Sequence, residues 1–103
     1  MFGMIGKMTV VDTRRDEVIA LLVEAVAAMP GCLSYVIATD PADENGIWIT
    51  EVWDSKDSHD ASLSLPKIKH AIALARPMIT GFSNQVTTTP VGGYGVPTAR
   101  PPR

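Results

Sequence analysis

The sequence predicts one α+β domain, a four-stranded antiparallel sheet with helices packed on one of its faces. Three observations predict it. At 103 residues with 46% hydrophobic and 19% charged positions, the chain is long enough for one compact domain and too short for two. Two regions carry apolar residues at helical spacing, and four others are β-rich or alternate in polarity. Their order along the chain reads β-α-β-β-α-β, the split arrangement of ferredoxin-like domains.

Residues Phe2 to Val11 alternate, with Phe2, Met4, Met8 and Val10 on one side and Ile5, Lys7 and Thr9 on the other, so they predict the first strand. Asp12 or Thr13 is placed to cap the next element. Asp16 and Glu17 fall in its first turn, and Val18, Ile19, Leu22, Val23, Val26 and Met29 recur at helical spacing. That helix is expected to run to about Met29, stopped by Pro30-Gly31. Cys32 to Thr39 and Ile47 to Trp53 are β-rich and are separated by turn chemistry from Asp40 to Gly46, which predicts an antiparallel hairpin. Ser55 is the next helix cap. From Ser58 to Ala75 the composition is helical, but Pro66 interrupts it. A short helix is therefore followed by a second with Pro in its first turn and Ile68, Ala71, Ile72 and Ala75 as its apolar stripe, Leu74 lying to one side. Pro77 ends that helix, Gly81 allows a turn, and Phe82 to Thr89 forms the last strand. The domain thus spans residues 1–89. Residues 90–103 contain four Pro and three Gly and predict a tail without helix or central strand, mobile or laid across a partner.

Charge and composition narrow the partners. A net charge of −2 with nine scattered Lys and Arg offers no continuous positive surface for nucleic acid. No apolar run is long enough to cross a bilayer, so no membrane partner is expected. The lone Cys32 forms no internal disulfide and no charged leader precedes an apolar segment, which makes a cytoplasmic location the expectation. No metal-ligand spacing or phosphate loop occurs, and the expectation is a site without cofactor or metal. In the predicted hairpin both faces are apolar: Leu33, Tyr35 and Ile37 are opposed by Val36 and Ala38, and Ile47 and Ile49 by Trp48 and Val52. A sheet face open to water should be polar, so a second copy is expected to cover it, giving a homodimer.

The chemistry-bearing residues cluster in sequence. Pro30-Gly31-Cys32-Leu33 leads to Tyr35. Glu51-x-Trp53-x-Ser55 closes the third strand, His59 follows four residues later, and Arg76-Pro77-Met78-Ile79 lies near the end of the last helix. With these motifs the chain, over about residues 2–88, resembles the antibiotic biosynthesis monooxygenase family, small dimeric α+β barrels that include quinol monooxygenases. The resemblance implies oxidation of a reduced quinone, anthrone or similar polycyclic phenol by O₂ without metal or flavin. The chain departs from the pattern at Ser62, where many relatives carry a second His, and its first strand lacks the Asn that a haem-degrading branch uses.

On chemical grounds such a site needs little more than a base, a flat apolar slot and shelter from water, because a deprotonated hydroquinone or anthrone itself reduces O₂. His59 is the natural base. Trp53, Tyr35 and Phe82 wall in a flat ring, while Met4, Met8 and Met78 supply adaptable lining. Tyr35, Ser62 or Asn84 can hydrogen-bond a developing oxyanion. Glu51, on the side of the strand that carries Ile49 and Trp53, is read either as a substrate contact or as a paired buried carboxylate. Each has a plainer role as well: His59 as a solvated first-turn residue, Trp53 as core, Tyr35 as interface, and Arg76 as a cation opposing the helix dipole. Two other functions fit the same residues. One is a binding or interaction module on the same barrel. The other is a haem protein, for which His70 is the only further imidazole.

Overall fold

The computed structural model describes residues 1–98. Its elements run β1 (Phe2–Val10), α1 (Arg15–Ala25), β2 (Cys32–Thr39), β3 (Gly46–Trp53), α2 (Lys56–Ser62), α3 (Pro66–Ala75), a 3₁₀ turn (Arg76–Met78) and β4 (Ile79–Thr88). The strands form one antiparallel sheet in the order β2-β3-β1-β4, packed with three helices. This is the ferredoxin-like topology, with the predicted break at Pro66 dividing the second helical region.

Register assigns each side chain to a face. Tyr35 lies opposite Glu51, Ile37 opposite Ile49, and Phe2 opposite Trp53. Because side chains alternate along a strand, Met8, Val10, Ile47, Ile49, Glu51 and Trp53 point toward the helices, and Ile5, Lys7, Val36, Trp48 and Val52 point the other way. One core cluster joins Met8, Val10, Val18, Ile47, Ile49 and Ala75. A second joins Ala25, Met29, Trp53, Ile68 and Ala71, and it carries the site described below.

Local chemistry explains where the observed boundaries differ from those the residues predict. Helix α1 stops at Ala25, short of Met29. The amide of Ala27 turns to the carbonyl of Glu24, a tighter i−3 bond, and Met29 precedes a proline, a position disfavoured for α backbone. The unwound residues lower Met29 into the second core cluster instead. Neither Asp12 nor Thr13 caps α1. Thr13 takes a positive φ of 68°, Asp12 accepts from Asn45 Nδ2 at 2.7 Å, and Arg14 occupies the N-cap without a side-chain bond. Ser55 does cap α2, its Oγ accepting the Ser58 amide at 3.2 Å, and Pro66 opens α3. Gly81 makes no turn. The 3₁₀ residues Arg76–Met78 reverse the chain, so β4 begins three residues earlier than Phe82, with Gly81 paired to Thr9. Asn84, at φ 53°, adds one residue to β4 between the Ile5–Val86 and Lys7–Ser83 pairs, a bulge that Asn tolerates in the left-handed region.

Gly31 holds the turn between α1 and β2 at φ +82°, and a Cβ there would overlap Ser58 and lie 2.8 Å from Asp54 Oδ1. After β4, Pro90 packs over Gly3, and an isolated bridge joins Gly93 to Val96 with the Tyr94 side chain fully exposed. The tail through Thr98 therefore holds neither helix nor sheet strand, and Tyr94 does not cover the helix side of the sheet. The remainder of the predicted tail, residues 99–103, lies outside the described residues.

Candidate active site

Between the sheet and the three helices lies a largely apolar cavity of about 260 Å³. Its floor is Met8, Tyr35, Glu51 and Trp53 on the sheet. Its roof comes from α1, α2 and α3 through Leu22, Ala25, His59, Ser62, Ile68, Ala71 and Ile72. Phe82 on β4, 60% exposed, stands at the mouth. An apolar cavity of about 150 Å³ accommodates benzene, so this one, open at Phe82, has room for a fused-ring system.

Polar groups converge at one end. Trp53 is 1% exposed, and its indole N–H donates to Glu51 Oε1 at 2.9 Å. The Glu51 carboxylate is thus paired and, at 14% side-chain exposure, nearly buried, while it also lines the cavity. His59 enters from the second turn of α2, a placement fixed by the Ser55 cap. Its ring stands edge-on to Trp53 at 5.6 Å and 84°, and lies 5.3 Å from the Phe2 ring. His59 Nε2 is 3.9 Å from Glu51 Oε1, and Nδ1 is 3.0 Å from Asp60 Oδ1. Lys56, and after it His59, hold the Asp60 carboxyl below its ordinary range, so Asp60 is an ionised acceptor. A carboxylate can only accept, so in the neutral imidazole Nδ1 is the nitrogen that carries the proton and Nε2 the one with its lone pair beside the cavity.

Tyr35 also lines the cavity. Burial, reinforced by the negative charge of Glu51, pushes its phenol well above the ordinary value, so it stays a neutral O–H donor across the working pH range. Ser62 reaches the lining too, but its hydroxyl donates to the His59 carbonyl at 2.6 Å. Its proton is engaged in holding the α2 turn. Of the predicted methionines only Met8 meets the cavity. Met78 sits in the 3₁₀ turn, packed against the first core cluster, and Met4 and Asn84 lie outside the lining. His70 faces a separate hollow between α1 and α3, with Leu21, Glu24 and Leu74, so the two imidazoles do not converge. Among the described residues no three His, Cys, Asp or Glu side chains gather as a metal site would need.

Sequence reasoning did not single out Phe2, Asp60 or the aliphatic roof as parts of the site. Asp60 carried a signal, adjacency to His59 in a helix turn. Phe2 carried none, because its contact depends on the β1–β3 register.

The model of the antibiotic biosynthesis monooxygenase family matches residues 1–74. The chain belongs to that family. A solved structure from Chloroflexus aurantiacus J-10-fl, described as a candidate antibiotic biosynthesis monooxygenase, is 55% identical, with 93% of this chain and 98% of that one covered at a TM-score of 0.90. Another so described, from Deinococcus radiodurans, is 23% identical with 90% and 95% covered at a TM-score of 0.75. A Mycobacterium tuberculosis protein, 18% identical, covers 90% and 97% at the same TM-score; at these lower identities the likeness is one of fold. A search of curated proteins gave no significant match.

Proposed function

We propose that the chain is a cofactor-independent monooxygenase that oxidises a reduced quinone or anthrone-like polycyclic phenol with O₂. The observation that carries this reading is His59 on the wall of an apolar cavity, its Nδ1 proton held by Asp60 and its Nε2 facing inward between Trp53 and Glu51. A phenolic O–H placed at that end passes its proton to Nε2. The resulting imidazolium lies between the carboxylates of Asp60 and Glu51, which stabilise it. Tyr35 donates a hydrogen bond to the oxyanion left behind, and the aromatic and aliphatic walls exclude water.

The deprotonated ring then transfers an electron to O₂, and the radical pair combines to a ring peroxide. Its O–O bond breaks with loss of a ring proton: one oxygen stays on carbon as the new carbonyl, and the other leaves as water. Four electrons come from the substrate, so no external reductant enters the balance. Trp53 and Phe82 act by confining the ring, and Glu51 by fixing the indole and the charge near His59.

The active assembly in this reading is a homodimer. On the sheet face away from the helices, Ile5, Val36 and Val86 are 37%, 51% and 53% exposed, with Trp48 and Val52 beside them, and a second copy would bury this apolar surface. The test of function is to mix metal-stripped protein anaerobically with hydroquinones, naphthohydroquinones and anthrones, then admit O₂. O₂ uptake above the heat-treated control is expected for at least one class. No acceleration with any, together with ligand binding in the same cavity, would favour the binding-module reading.

A further inference from the structure

Beside the cavity, past Phe82, lies a second hollow lined by Ile72, Arg76, Ile79, Thr80, Gly81 and Phe82. Ile72, Ile79 and Phe82 line both spaces, so the two adjoin across these side chains. Arg76 is the only charged side chain of this outer hollow, and among the described residues its guanidinium has no ion-pair or hydrogen-bond partner. Its place at the C-cap of α3 explains why a cation is stable there, since the helix dipole favours it, but gives the five N–H donors nothing to bind. Gly81 leaves the space beside it open, for a Cβ built there would meet no atom within 4 Å.

Charge therefore differs between the two adjoining spaces. The inner end holds the Glu51 carboxylate, the middle is aliphatic and aromatic, and the outer end holds a free guanidinium. An aromatic ring carrying both a hydroxyl and a carboxylate fits this gradient in one direction only. Its carboxylate is repelled from Glu51 and meets Arg76, whose planar fork matches a carboxylate bidentately, while its hydroxyl is left at His59 and Tyr35. We propose that Arg76 binds the carboxylate of a hydroxylated aromatic acid whose ring occupies the cavity, and so sets both substrate class and orientation. This rests on the cavity being the substrate site of the proposed function.

Binding without turnover tests it. 6-Hydroxy-2-naphthoate, whose two groups stand at opposite ends of the ring system, and 2-naphthol, which lacks only the carboxylate, are titrated calorimetrically into wild-type protein and the Arg76→Gln and Arg76→Lys variants at about 0.15 M salt, where long-range attraction is screened. The expected result is tighter binding of the acid by wild type, weakened roughly tenfold or more by Arg76→Gln, partly restored by Arg76→Lys, with 2-naphthol unchanged throughout. Arg76 is exposed, so both variants should keep the wild-type melting temperature. If the two probes bind wild type equally and Arg76→Gln alters neither, the assignment of Arg76 is overturned while the cavity stands. If neither probe binds, the cavity is not the aromatic site, and both the inference and the reading beneath it fail.

Discussion

Replacing Trp53 by Phe probes the pair that holds the inner end of the cavity. The indole donates at 2.9 Å to a carboxylate that is only 14% exposed, and a hydrogen bond to a charged group of that kind contributes about 1.5–3 kcal/mol. Losing the second ring from a side chain 1% exposed leaves a void costing on the order of 1 kcal/mol more. The substitution should therefore cost about 2.5–4 kcal/mol, a drop of roughly 10 °C or more in melting temperature for a domain of this size. The assay is urea unfolding followed by far-UV circular dichroism at one fixed protein concentration, since dimerisation would link stability to concentration. A double-mutant cycle isolates the bond. Glu51→Met alone strands the indole N–H, Trp53→Phe alone strands the carboxylate, and the double variant strands neither. A coupling of about 1–2 kcal/mol is expected. Single costs that add to the double within about 0.5 kcal/mol would refute the view that Glu51 and Trp53 act as a pair.

His59→Gln should lower the oxidation rate by roughly 10²–10⁴-fold with folding retained, checked by steady-state O₂ consumption beside a melting curve. Asp60→Asn should keep the fold and reduce the rate less than His59→Gln, because it loosens the tautomer without removing the base; the pH–rate profile reads this. In acid, the Ala42 amide, then Lys7 and Trp48, depress Asp40 from 3.8 to about 2. A carboxyl depressed in the folded state contributes stability present above 3.8 and lost as pH falls toward about 2, so Asp40→Asn should flatten acid unfolding in that window. Gly31→Ala forces a Cβ into Ser58 at φ +82° and should destabilise by about 1–3 kcal/mol in thermal unfolding. Val36→Asp with Val86→Asp should convert a dimer to a monomer in sedimentation velocity, and a monomeric wild type at micromolar concentration would contradict the paired-sheet assembly.

What the residues disclosed in advance follows from the range of the forces involved. The hairpin, the Ser55 cap and Pro66 at the start of α3 depend on local chemistry, and they stand where the sequence places them within a residue. The end of α1 and the start of β4 do not. Apolar spacing continued to Met29, but the pre-proline constraint and the pull of Met29 into the core ended the helix earlier, and the reversal at Arg76–Met78 displaced the turn expected at Gly81. In the site, Glu51, Trp53 and His59 were legible because the first two alternate on one strand and the third follows at fixed distance on the capped helix. Tyr35 came with them through hairpin register. The engaged hydroxyl of Ser62, the packing of Met78 against the other core cluster and the ring of Phe2 beside His59 arise only when separate elements pack.

The most direct measurement of the central claim is the fate of oxygen from ¹⁸O₂ in a single turnover of metal-stripped protein with the panel substrate that responds, compared between wild type and His59→Gln. Incorporation of one labelled atom into the product, with the other in water and the rate collapsing in the variant, is the predicted result. Product without label, or label incorporated at the same rate by a folded His59→Gln protein, would contradict a monooxygenase that uses His59 as its base.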